Sequence, residues 1–350
     1  MKRILFSILV LVCAMGVKAQ DMMVATLQSG EESKVFYGAD SFVEAYNAAQ
    51  TGDLITLSPG TFNVPTITKS LKIQGAGYIN DPDNGSYRTI LNYRLEINLS
   101  EGNTDDFLLE GVYSCNELKV TGTATINRFV VKRCRFDNVS FSESTTNGSR
   151  LEHCRIANQL SVGTTAENFS VMNSVVGYLA GETNGSSIRC QNTIIHHYAN
   201  YSYSQFIAVF ENCIFNTGSN SNYLHQNCLV KNCLSSYNRM FDNVLSKENV
   251  WYSNKTEIWG SDKGYSDTDL YELTEEAKSK YVGADGKEIG IYGGDVPFTF
   301  TPSHPQITKR DIATKTSGGK LKVEITVVAQ GINSPKRIQD EKDMDTVMDL

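Results

Sequence analysis

Apolar and polar positions alternate at period two through much of the chain, and in its middle that alternation recurs in register. Six segments begin with Val131, Leu151, Val171, Cys190, Phe210 and Val230, at spacings of 20, 20, 19, 20 and 20 residues. Each runs as one apolar residue, a residue that is usually polar, a turn residue, a small Cys, Ser or Thr, and an outward residue. A further apolar residue usually follows. Leu109-Glu110-Gly111-Val112 and Lys247-Glu248-Asn249-Val250 are weaker copies in phase. Period-two alternation predicts strands with one buried face. The third column, Asn173, Asn192, Asn212 and Asn232 with Arg133 and His153, suits a corner of left-handed backbone. Coils of about twenty residues with no helical period predict a solenoid whose strands stack about 4.8 Å apart.

The expected fold is therefore all-β: a right-handed parallel β-helix with an N-terminal helix cap and a C-terminal β cap. Ser41-Phe42-Val43-Glu44 resembles a capping box, and Phe42, Ala45, Tyr46 and Ala49 share one helical face before Gly52. Thr274 is placed to cap a short helix running to Tyr281, with Glu275 and Glu276 in its first turn. Leu321 to Val327 alternates as a late strand, in a cap or in a small appended module. The expected divisions are 1–19 as a leader, 20–300 as the capped β-helix, 301–330 as a C-terminal β segment and 331–350 as a mobile tail.

The leader is read from Met1-Lys2-Arg3, the apolar stretch Ile4 to Val17, and the small-residue end Val17-Lys18-Ala19. Its removal would take the formal charge from −7 to −10, since Lys2, Arg3 and Lys18 leave, and the cysteines from 8 to 7. Lipidation at Cys13 would require smaller residues than Leu11-Val12 before it. The destination is then the periplasm, the cell surface or the medium. No later apolar run could cross a bilayer, and 32 Lys plus Arg against 39 Asp plus Glu disfavours a nucleic-acid partner. An odd cysteine count without local pairing is no disulfide framework. Cys134, Cys154, Cys213 and Cys233 fall in one small-residue column with Ser174 and Thr193, so they are expected as packed free thiols, Cys213 and Cys233 being the pair to oxidise first. No Cys-x-x-Cys or His cluster marks a metal site, and no cofactor is implied.

Gly52-Asp-Leu-Ile-Thr-Leu-Ser-Pro-Gly-Thr-Phe62, Leu71-Lys-Ile-Gln-Gly-Ala-Gly77 and the Asn-Cys-x-Phe coils resemble the pectin-lyase-like β-helix superfamily. More narrowly, the chain is similar to exported β-helix proteins of Gram-negative bacteria over roughly residues 35 to 330, including Ile289-Gly290-Ile291-Tyr292-Gly293-Gly294. The resemblance implies a fold and leaves the chemistry open, because enzymes of that superfamily act on acidic polysaccharides through clustered or paired carboxylates that the repeat columns do not show. Glu152 and Glu211 lie three coils apart, some 14 Å by strand spacing. Asn103-Thr104-Asp105-Asp106 lacks the partners of a galacturonan hydrolase, as do His196-His197, and is read as a solvated turn. The catalytic residues are unknown.

Two clusters are candidates for ligand binding. Arg133, Arg135, His153 and Arg155 fall on adjacent coils, with Arg135 and Arg155 stacked on an outer face, where guanidinium groups could grip a sugar carboxylate or form local ion pairs. Tyr198, Tyr201, Tyr203 and Trp251 could stack on sugar rings or pack loops on the solenoid. In the outward column beyond Arg155, Val175, Ile194, Ile214 and Leu234 are all apolar, so a loop, the C-terminal segment or a protein partner should cover that face. The expected function is carbohydrate binding or surface interaction, with a polysaccharide as ligand. The alternatives are a polysaccharide lyase or glycoside hydrolase with an unfamiliar site, and a structural surface protein.

Overall fold

The computed structural model of the protein describes residues 23–80, 87–102, 104–163, 165–181, 187–199, 207–217, 223–303, 305–312, 320 and 322–328. The expected leader and tail lie outside them. The chain forms a parallel β-helix of about nine turns, the right-handed architecture that the repeat predicts. Parallel pairing begins with Leu54–Leu57 on Lys72–Gly75 and ends with Leu229–Ser235 on Ser246–Tyr252.

The repeat columns become physical ladders. Val131, Leu151, Val171, Cys190, Phe210 and Val230 stack in register and point inward. Phe107 stacks on Phe129 at 4.6 Å, and Phe141 and Phe169 continue the run edge to face. The small-residue column is buried throughout. Cys134, Cys154, Ser174, Thr193, Cys213 and Cys233 sit where the backbone turns, and the Cys213 amide faces the Cys233 sulfur at 3.4 Å. All four thiols are free. Burial pushes the Cys154 thiol up to about 12 and that of Cys134 well above its ordinary value, so neither offers a thiolate near neutrality.

The third column turns the corner as expected. Arg133, His153, Asn173, Asn192, Asn212, Asn232 and Asn249 all have φ between 43° and 55°, a region that Asn tolerates best among side-chain-bearing residues. The Asn249 amide donates to the Asn232 carbonyl oxygen at 3.0 Å, and Asn232 donates likewise to Asn212 at 3.2 Å. A second corner repeats the device with Asp106, Arg128, Gly148 and Asn168.

Helix α1 (Ser41–Ala48) buries Phe42, Ala45 and Tyr46 against the first coil. Its capping differs from expectation: Asp40 is the N-cap and its carboxylate accepts from Asn63, while Ser41 is already helical and buried. An antiparallel hairpin, Val24–Ser29 with Glu32–Tyr37, also closes this end and pairs with Leu54–Leu57.

At the other end the coils stop at Tyr252, and residues 253–303 form a strap over the outside of the solenoid. The strap contains α2 (Lys255–Trp259), capped by Asn254, and α3 (Glu275–Lys280), capped by Thr274 as the sequence predicts. Beyond it Gln306–Ile312 and Val323–Val328 make an antiparallel hairpin.

Candidate functional site

Arg135 and Arg155 pair across adjacent strands, and their column continues through Val175, Ile194, Ile214, Leu234 and Trp251. This is the outer face whose apolar residues called for a cover. The strap supplies it, packing Ile258, Trp259, Tyr271, Leu273, Ile289, Ile291, Phe298 and Phe300 against Val175, Ile194, Ile214 and Leu234.

The arginines are therefore not on a solvated face. Arg155 is fully buried, at 0% exposure. Its guanidinium lies among the rings of Tyr271, Phe298 and Phe300, at 5.1–5.3 Å, and donates to the carbonyls of Ser266 and Asp269. Arg135 binds both oxygens of Asp267 through Nε at 2.9 Å, and also Asp137 and the Ser114 carbonyl. Burial works against its charge, but the two carboxylates outweigh burial and raise its pKa. The repulsion expected between two stacked cations is thus relieved by groups of this chain.

Arg133 and His153 are corner residues, each only 3% exposed. Arg133 pairs with buried Glu110 at 3.0 Å, and Ser303 of the strap donates to the same carboxylate from its amide and hydroxyl, at 2.8 Å. His153 faces Phe298 at 6.0 Å, and burial together with the nearby Arg133 and Lys132 lowers its pKa to about 3. Further along, Asn173 donates to the carbonyls of Ile291 and Gly293. His196 lies under Tyr265 and Tyr271, each at 5.6 Å, and burial chiefly lowers its pKa to about 3. The corner column is a docking rail for the strap.

The aromatic candidates also separate. Tyr198 points into the core, 6.0 Å from Phe210. Trp251 is half-buried against Tyr281 of the strap at 5.6 Å. Tyr201 and Tyr203 lie outside the described residues. Asp105 and Asp106 form the expected solvated turn, where Arg128 holds Asp106 at 2.6 Å. Among the described residues no group of three His, Cys, Asp or Glu side chains could hold a metal ion.

A different surface is partly open to water. The sheet of strands Glu117–Asn127, Asn138–Asn147, Arg155–Val162, Val175–Gly181 and Ile194–Ala199 turns apolar side chains inward and polar ones outward. Its outer column reads Glu117, Asn138, Gln159, Tyr178 and His197, the first four half-buried and His197 exposed. Beside it run Glu96, Lys119 and Ser140, each half-buried, and then Ser161 and Ala180, both buried. Gln159 donates to the Ser161 hydroxyl at 2.5 Å, and its own amide N–H donates to Asn138 at 3.2 Å. Lys119 is paired with Glu143 at 2.8 Å, and Arg94 with Glu117 at 3.0 Å.

Sequence reasoning overlooked this face because its outward residues are ordinary polar types without a repeating identity. The fate of the arginines had a signal: Arg133 and His153 stand in the asparagine column, and the aromatic run from Tyr265 to Phe300 matches the apolar column in need of cover. No protein-family model, curated protein or solved structure matches the chain.

Proposed function

We propose that the protein is an exported β-helix that binds a polysaccharide, acting as a surface-interaction protein, and that the ligand lies on the outer face of the long-strand sheet. The observation that carries this reading is the column Asn138, Gln159, Tyr178 and His197, with Ser140 beside it, all at least partly open to water. Successive coils set these groups about 4.8 Å apart, a spacing on the order of one sugar unit. Amide, hydroxyl and imidazole groups both donate and accept, as sugar hydroxyls do. A partly exposed tyrosine adds a flat apolar surface for a pyranose ring. The basic coils contribute to the fold by anchoring the strap.

The test incubates residues 20–350 with a panel of neutral and acidic polysaccharides, following ultraviolet absorbance, reducing ends and retardation in glycan-containing gels. Retardation without products is the expected result. Unsaturated or reducing products would replace this reading with that of a lyase or hydrolase, and no response to any glycan would favour a structural role.

A further inference from the structure

We infer that the open sheet face takes a neutral glycan and discriminates against polyuronates; this rests on the polysaccharide-binding reading above. The first argument is electrostatic. The chain carries a formal charge of −7, so a polyanion would be repelled unless a basic patch received it. Among the described residues the basic cluster of the repeat is consumed internally, with Arg133 on Glu110, Arg135 on Asp137 and Asp267, and Arg155 enclosed by the strap. Exposed arginines of the coils are matched as well. Arg94 meets Glu117 at 3.0 Å, Arg128 meets Asp106 at 2.6 Å, and Arg150 and Arg189 meet Glu152 and Glu211 at 2.8 Å.

The second argument is the chemistry of the face. A sugar carboxylate is best held by a guanidinium or ammonium donor. The column offers instead the amides of Asn138 and Gln159, the Tyr178 phenol and the His197 imidazole, and the adjoining column offers the half-buried Ser140, while Ser161 is buried and accepts from Gln159. Lys119 of the adjoining column is paired with Glu143 at 2.8 Å, and Lys255, whose charge reaches His197, is paired with Asp262 at 3.2 Å. Burial and the charge of Lys255 lower the His197 pKa, so the ring is neutral at physiological pH and adds no cation. Such a surface rewards hydroxyl-rich, uncharged rings.

The experiment is affinity electrophoresis of residues 20–350 in gels containing galactomannan or xyloglucan as neutral polymers and polygalacturonate or alginate as acidic ones, at low and high salt. Tyr178→Ala and Gln159→Ala are run beside the parent, with thermal melting to show that each remains folded. The expected result is retardation by a neutral polymer, insensitive to salt, and affinity about tenfold weaker in each variant, as loss of one ring or amide contact implies. Salt-sensitive retardation by the acidic polymers alone would overturn the neutral-glycan inference while leaving polysaccharide binding intact. Neutral binding unchanged in both folded variants would overturn the assignment to this face. Failure to bind any of the four polymers would overturn this inference, and the wider glycan panel then decides whether binding itself fails.

Discussion

Arg155 shows how far one side chain can depart from the role its type suggests. A guanidinium loses much solvation on burial, and here two carbonyl acceptors and three aromatic rings replace the water. Replacing it with Met would leave the carbonyls of Ser266 and Asp269 without their donor, so Arg155→Met should cost about 2–4 kcal/mol in urea unfolding. Arg155→Lys should recover less than half of that, because an ammonium lacks the planar fork that reaches both oxygens. The two buried histidines make a separate prediction. His153 and His196 have folded pKa values near 3 against about 6.5 unfolded, so below pH 6.5 the unfolded chain binds protons that the folded one does not. Their contribution is present in full above pH 6.5 and is lost as pH falls toward 3, by up to about 1.4 kcal/mol per pH unit for each ring. Melting temperatures between pH 7 and pH 4 should therefore fall less steeply in His153→Asn, which restores the commonest residue of that column, and in His196→Gln.

The strap is the element that closes the outer face of the solenoid. It buries an apolar column of the solenoid and is fixed at its polar points by Asp267 on Arg135, Ser303 on Glu110 and Ile291 and Gly293 on Asn173. Asp267→Asn removes the carboxylate that faces a largely buried guanidinium, so a destabilisation of about 1–3 kcal/mol is expected. The first consequence should be local: limited proteolysis should cut near residues 261–270 while the coils resist. Asp262→Asn, which alters a carboxylate 83% exposed and paired with Lys255, should leave the cleavage pattern unchanged. The corner ladder is a second element with its own test. Asn212, at φ 55° and bonded to Asn232, should lose about 1–2 kcal/mol on replacement by Ala and less on replacement by Gly, which keeps the backbone and loses only the side-chain bond.

Across the whole molecule the solenoid sorts its cysteines by position. Of the seven described thiols only Cys115 is exposed, so residues 20–350 treated with a thiol reagent should modify one group quickly and the other six only after unfolding. Rapid modification of two or more would mean that the coils open far more readily than their packing implies. The division between what was legible in the sequence and what was not follows from the range of the forces. Inward apolar columns, small residues beside the turn and left-handed asparagines are constraints of a single coil, and repetition every twenty residues amplified them until the fold and the need for a cover were plain. The N-cap of α1 falls on Asp40, one residue before the Ser41 of the capping-box sequence, and Ser41 is buried within the helix. Arg133 and His153 could be read as corner residues from the asparagine column, but the destination of Arg135 and Arg155, and the partners of all four, could not be read from their own coils. Each is defined by partners across the fold, Asp267 being 132 residues away from Arg135 and Ser303 193 residues from Glu110. The sequence by itself determined a parallel β-helix with one face in need of shelter. Only the tertiary structure decided that the strap shelters it, that the basic coils are occupied by the chain's own groups, and that polar side chains face outward along the long-strand sheet, because burial and charge pairing between distant segments have no local signature.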